Sequence, residues 1–556
     1  MKKWIIFLSV FMIASMLFAA CSPAAAPEST MPAEGEEGAG VSAEATEAAQ
    51  ATEAAAAGEP GVGGTLVIGV TAEPDTLDPS FTTVGVVLDY TGAALIAKDK
   101  DNQYVPWAAE SWEVSEDGLT YTFKLRQDMK FHDGTPVTAK DYAYTYTRDL
   151  DPASTGAASQ MLAGVTAVTA PDDYTLVITL GAPNFYLLDN LTLMDYMQPL
   201  SEAWVNSQGD SVGKSINSNG PYILKEYVTG DRAVLERNPD YTWAPAYAHQ
   251  GPAYIEQIIF RFIPDISTIV AGLEAGEIDY ISDIDVQYVT RLTELGTFDI
   301  YEGPYPGTKP YLTINVAKPP FDDLKVRQAV AYAIDRQAII DVVLQGKGTI
   351  QYGPLAPSQT GYWDGIEDIG YGFDAEKAAS LLADAGYTLN ADGILAKDDQ
   401  VLKLDLLTSA EFVKDAQMIQ QQLKVIGIEV NIVQSEFALM ITDILQGNYT
   451  MGLFTYSYPN GGILPMILHS RMEGVMNTGH VNDPDLDVLL DQINNETDVA
   501  LQQQALNDAQ KLIIEKAYMI PLINPTNYFP LSTKVVGEVY SAKNDLLYLE
   551  DAYIQQ

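Results

Sequence analysis

The sequence predicts an α/β protein of several mixed lobes. Its 556 residues amount to three or four domains at roughly 150 residues each, enough for more than one buried core. Short runs rich in β-branched and aromatic residues recur between residues 65 and 456, and helical patterns lie between several of them. Strand and helix alternate most regularly after residue 310, whereas residues 105 to 215 hold more strand and turn, so the lobes are of more than one kind.

Taken in order, the chain opens on Met1-Lys2-Lys3 and an apolar run from Trp4 to Ala20, the basic and apolar regions of a secretory signal. The run is marginal for a membrane span, and no later segment reaches the roughly 18 apolar residues that spanning needs. It ends at Phe18-Ala19-Ala20-Cys21, which resembles a bacterial lipobox with Phe18 where Leu is usual, so Cys21 is the expected lipidation site. Residues 22 to 64 are Ala, Glu, Pro, Gly and Thr with eight glutamates and few large apolar side chains. Such a segment cannot bury enough surface to offset its ordering entropy and is expected to be a disordered tether.

Strands are expected at Thr65–Val70, Tyr121–Arg126, Tyr174–Leu180, Arg232–Arg237, Ile255–Ile263, Tyr311–Asn315, Leu402–Thr408, Ile428–Val433 and Tyr449–Tyr456. Helices are expected from Asp322 or Asp323 through Ile334, from Arg336 to Gln345 before Gly346, from Asp374 to Ala385 before Gly386, and from Ala416 to Ile426 before Gly427.

Composition narrows the function. With 31 Lys and Arg against 75 Asp and Glu, a net charge of −44, the surface repels phosphate backbones and anionic lipid, and no nucleic-acid partner is expected. One Cys and four His, none in HExxH spacing, exclude a disulfide framework and predict no metal site and no cofactor. Gly213-Lys214-Ser215 lacks the earlier glycine of a phosphate loop, since position 208 is Gln208, and no G-x-S-x-G elbow is present. The histidines read as ordinary, and a secreted hydrolase using two of the many carboxylates is kept as the alternative from a different class.

One stretch is far more specific: Ala108-Ala109-Glu110-Ser111-Trp112, Asp117 to Arg126, and Phe131-His132-Asp133-Gly134-Thr135-Pro136 through Lys140-Asp141. With Asp75-Thr76-Leu77-Asp78-Pro79, Asn219-Gly220-Pro221-Tyr222, Asn238-Pro239-Asp240-Tyr241, Gly272-Leu273-Glu274-Ala275-Gly276, Val326-Arg327-Gln328-Ala329 and Met476-Asn477-Thr478-Gly479-His480, it resembles the extracellular solute-binding proteins of the oligopeptide and dipeptide ABC-transporter family over nearly all of residues 65 to 556. Most of these motifs are folding punctuation; they bear on the fold rather than mark a site.

The resemblance implies a two-lobed periplasmic-binding-protein-like (type II) fold with a hinge and an extra domain inserted in the first lobe. Residues 1–20 would be the signal peptide and 21–64 the lipidated Cys and tether. Lobe one would comprise 65–94, 215–310 and 527–556, the inserted domain 95–214, and lobe two 311–526. It further implies a monomeric, non-enzymatic receptor, exported and held at the outer face of the cytoplasmic membrane by the lipid anchor alone. It would capture an oligopeptide or similar small solute by hinge closure and deliver it to permease subunits with a cytosolic ATPase.

In that family two extended segments hold the ligand's backbone by strand addition. Matched here they fall at Thr83, Val84 and Gly85 in lobe one and at Tyr456, Ser457, Tyr458 and Asn460 in lobe two. The family's second segment usually carries a Trp and an Asp that binds a peptide's α-ammonium, but this chain has no Trp after Trp363 and no carboxylate from Ile444 to Met472. A buried ammonium without a counter-charge costs several kcal/mol. Either an acid elsewhere, Asp89 or one in lobe two, substitutes, or the ligand lacks a free amine. In the latter case the tyrosines and Asn460 suit an oligosaccharide, the alternative ligand; nickel suits least, with so few histidines.

Overall fold

A computed structural model of the chain describes residues 61 to 555, except 83, 100, 101, 152–156, 538, 539, 542–545, 548 and 550. Cys21, the expected tether up to residue 60 and Thr83 lie outside the described residues; the tether's last four residues, 61–64, are part of the fold, where the Gly63 N–H donates to the Tyr254 carbonyl at 2.8 Å.

The first strand, β1 (Thr65–Val70), matches its expected bounds and puts Leu66 and Ile68 into the core on alternate positions. The chain then leaves to build a separate antiparallel sheet from β2 (Ala109–Val114), β3 (Thr120–Leu125), β4 (Val165–Asp172) and β5 (Thr175–Leu180), in the order β2-β3-β5-β4. Helix α1 (Ala139–Asp149) covers it, started by a capping box between Thr138 and Asp141 that satisfies free N–H groups of the first turn. Trp107, Phe123, Tyr142, Tyr146 and Leu176 fill the core beneath.

The chain returns as β6 (Tyr222–Val228), β7 (Arg232–Arg237) and β8 (Gln257–Phe262), which join β1 in the order β1-β8-β7-β6, β1 running parallel to β8. Helices α2 (Ile266–Ala275) and α3 (Val286–Leu295) follow, each stopped by a glycine in the left-handed region, Gly276 at φ 72° and Gly296 at φ 67°. Strand β9 (Phe298–Pro304) then leads directly into β10 (Gly307–Ile314) of the other lobe, the first of two crossings.

That lobe follows the regular alternation read in the sequence. Helices α4 (Leu324–Ala333) and α5 (Arg336–Val343) begin at Asp323 and Asp335, whose carboxylates accept from Lys325 N at 2.8 Å and Ala338 N at 3.0 Å. After β11 (Gly348–Ile350) come α6 (Ala375–Asp384), β12 (Lys403–Thr408), α7 (Val413–Val425), β13 (Glu429–Gln434), α8 (Phe437–Leu445) and β14 (Met451–Ser457). Helices α9 (Ile463–Leu468), α10 (Pro484–Asn495) and α11 (Val499–Glu515) lead to β15 (Met519–Pro521). The sheet runs β13-β12-β14-β10-β15, with β12 parallel to both of its neighbours.

The second crossing is β16 (Ile523–Ser532), which pairs through Ile523–Pro525 with β11 and through Thr526–Ser532 with β9. Two short crossings between two independently cored lobes are the geometry of a hinge. Among the described residues no helix is long and apolar enough to cross a membrane.

Candidate functional site

The chain after the parallel strands β12 and β14 reaches the seam between the lobes, through Ala410–Asp415 and Pro459, where open α/β sheets place ligands. Two cavities open there. The smaller, about 120 Å³, lies against the β2–β5 body and is lined by Lys98, Trp107, Asp189, Pro306, Thr360 and Pro459, among others. The larger, about 700 Å³, lies beside the two crossings, between Asp283–Val286 and Pro525–Asn527 on one side and Lys309, Lys347 and Ala410–Asp415 on the other. Its volume falls within the few hundred to a thousand Å³ of ordinary ligand pockets.

The expected ligand segments reach this seam unevenly. Val84 is half-buried, its N–H directed at Thr82 Oγ1 at 3.2 Å. Gly85 is buried, and a side chain there would come within 2.4 Å of the Asp195 carboxylate. Neither lines the two cavities described above.

In the second segment, the Tyr456 side chain belongs to the core rather than to the cleft wall. Its ring is 8% exposed, packs on Tyr311, and its hydroxyl donates to the Pro354 carbonyl and accepts from Thr308 Oγ1 at 3.1 Å. The alternation of β14 puts it there: Tyr456 opposes Thr308 of β10 with its side chain inward, and Ser457 is turned out to solvent. Tyr458 is half-buried, its N–H bonded to Pro306 O at 3.0 Å and its carbonyl accepting from Gln359 Nε2 at 2.7 Å, and burial pushes its phenol up to about 12. Asn460 is fully buried and is spent on protein groups: Nδ2 donates to Asp189 Oδ2 at 2.9 Å, and Oδ1 accepts from Gly462 N at 3.0 Å. Neither Tyr456 nor Asn460 offers a sugar its polar atoms.

Acids missing from the Ile444–Met472 stretch come to the seam from elsewhere. At the smaller cavity Asp189 holds Lys98 Nζ at 2.6 Å and accepts from Tyr104 as well. At the larger cavity Lys309 Nζ pairs with Glu411 Oε1 at 3.1 Å. Burial alone would lower Lys309, but Glu411 and Asp283 outweigh it and hold the ammonium above its usual range. Burial pushes Asp283 and Asp415 up to about 6, Lys309 opposing the rise at Asp283 and Glu411 adding to it at Asp415. Asp89 is raised well above its ordinary value by burial and by the neighbouring Asp195, and lines neither cavity.

Sequence reasoning passed over Lys309, Asp283, Glu411 and Asp415. One signal was available: Ser409 to Phe412 directly follows an expected parallel strand, the position from which such folds contact ligands. The larger cavity thus carries fixed groups of both signs, suited to a ligand that bears both an ammonium and a carboxylate. No group of His, Cys, Asp and Glu suited to a metal occurs among the described residues.

Residues 103–465 match the family model of the bacterial extracellular solute-binding proteins, family 5. The chain is 30% identical over 461 residues to heme-binding protein A of Haemophilus influenzae, covering 78% of this chain and 82% of that protein. It is 28% identical to the periplasmic oligopeptide-binding protein OppA of Escherichia coli over 83% of this chain and 86% of that one. The structure of the oligopeptide-binding protein AppA from Bacillus subtilis in complex with a nonapeptide superposes with a TM-score of 0.73 at 25% identity, covering 90% of this chain and all of that one.

Proposed function

Because the chain belongs to the bacterial extracellular solute-binding proteins of family 5, the binding components of ABC transporters, we propose that it captures a short peptide in the larger interlobe cavity and hands it to a membrane permease. The observation that carries the peptide reading is the charge arrangement of that cavity. Lys309 is positioned for a carboxylate, Asp283, Glu411 and Asp415 for an ammonium, and both lobes contribute walls. Closure excludes water and strengthens these pairings, so ligand contacts are completed only in the closed form.

The division into lobe one, an inserted domain at 95–214 and lobe two at 311–526 belongs to the same reading. So do export, anchoring through lipid on Cys21, action as a monomer, and a cytosolic ATPase behind the permease. Binding without turnover is expected of such a receptor.

The test is thermal shift with free peptides, N-acetylated peptides and oligosaccharides. A ligand at a hundred times its Kd stabilises by about 2.7 kcal/mol, readily visible as a melting shift. Free peptides should shift the protein at least tenfold more tightly than their N-acetylated forms. Equal binding of the two, or a shift by oligosaccharides alone, overturns the peptide-ammonium reading, and release of cleaved product would point to a hydrolase. Cys21→Ser should move the protein from the membrane fraction to the soluble fraction; unchanged membrane association removes the lipid anchor.

A further inference from the structure

Between β5 and the seam, the chain of the β2–β5 body runs through Asn184-Phe185-Tyr186, and Tyr186 leaves its own core. Its ring is 3% exposed and is buried among Leu355, Leu506 and other core residues of the opposite lobe. Gln502 Nε2 of α11 donates to its hydroxyl at 2.8 Å, and the Phe185 N–H donates to the Asn494 carbonyl at 3.1 Å. Next to it Asn460 reaches across to Asp189.

The sequence of the opposite lobe is fitted to this ring. A side chain at Gly461 would come within 2.4 Å of Leu506 Cδ2 and 2.9 Å of the Tyr186 hydroxyl, and one at Gly462 within 2.9 Å of both Asn460 Oδ1 and Tyr186 Cδ2. Gly462 sits at φ −61°, ψ −14°, a conformation open to any residue, so backbone freedom does not account for the glycine there. Space does, since Tyr186 and Asn460, the two side chains of the contact between the lobes, fill the place a Cβ would take. Its paired polar groups, Gln502 for the hydroxyl and Asp189 for Asn460, would be left to solvent if the lobes parted.

We propose that Tyr186 is a latch that fastens the two lobes to each other in the closed form, with Gly461 and Gly462 as its socket and the Asp189–Asn460 bond beside it. Tyr186 is thus a positioning residue for capture: it sets the population of the closed form, and with it the fraction of molecules ready to admit or retain a ligand. This holds whatever the ligand is.

Small-angle X-ray scattering of the ligand-free protein tests it. Wild type and Tyr186→Phe, which keeps the ring, should scatter as the closed form. Tyr186→Ala and Gly462→Ala, which attack the contact from opposite lobes, should both shift to a larger radius of gyration while keeping a cooperative melt. Should Tyr186→Ala fail to fold, Gly462→Ala decides alone. Identical scattering from wild type and the variants, whether all closed or all open, overturns the latch. A lowered melting temperature with an unchanged radius of gyration also overturns it, because that result assigns Tyr186 to packing only.

Discussion

Asp149 shows how a single buried group can govern stability. It is fully buried at the end of α1 beside the Asp78–Arg148 ion pair, in which Arg148 Nη1 lies 2.7 Å from Asp78 Oδ1. Burial pushes its carboxyl up to about 7, against the pull of Ser80 and Arg148 and with the repulsion of Asp78. An unfolded aspartate titrates near 3.9, so the folded state holds the proton more tightly. The stability this contributes is complete below about pH 4 and is lost as pH rises through 7. Asp149→Asn should therefore raise the melting temperature at pH 8, by the equivalent of roughly 2–4 kcal/mol at about 1.4 kcal/mol per pKa unit, and change little at pH 4. Equal effects at both pH values would contradict the burial argument. Tyr456 gives a second test: removing its buried hydroxyl in Tyr456→Phe should cost about 1–2 kcal/mol by denaturant melting and leave ligand affinity unchanged.

Elements were legible where local pattern and tertiary role agreed. Strands β1 and β7 fall on their expected residues, and α4 starts at Asp323, because capping aspartates and alternating burial are local signals. The capping role of Asp335 is correspondingly testable: Asp335→Ala should cost about 1 kcal/mol, read as a lower denaturation midpoint at unchanged slope. The crossing strand β16 was illegible because Pro525 and Pro530 argue against a strand. It tolerates them because each half has its main ladder on one side only, β11 for the first and β9 for the second. The site was legible only as far as its main chain. Tyr458 and Pro459 do reach the seam, but Asn460 finds Asp189 across 271 residues of sequence, and Lys309 finds Glu411 from a different strand end. The first pairing is set by how the lobes meet and the second by how strand ends of one lobe pack together, neither of which a local pattern encodes.

For the whole molecule, the two crossings at β9–β10 and β16 join separately cored lobes by a hinge-like pair of strands, and the cavity beside them carries charges of both signs. The net charge of −44 is then a surface property that coexists with a locally mixed pocket, where Lys309, Lys347 and Lys414 face the acids. Loss of the Lys309 charge in Lys309→Met should weaken peptide binding at least tenfold, since a buried carboxylate would be left unpaired, while amidated peptides should lose far less. Native mass spectrometry of gently purified protein tests the central claim most directly. The account predicts one bound peptide per chain, intact on release, and none in Lys309→Met; a bound glycan, or peptide retained equally by Lys309→Met, would contradict it.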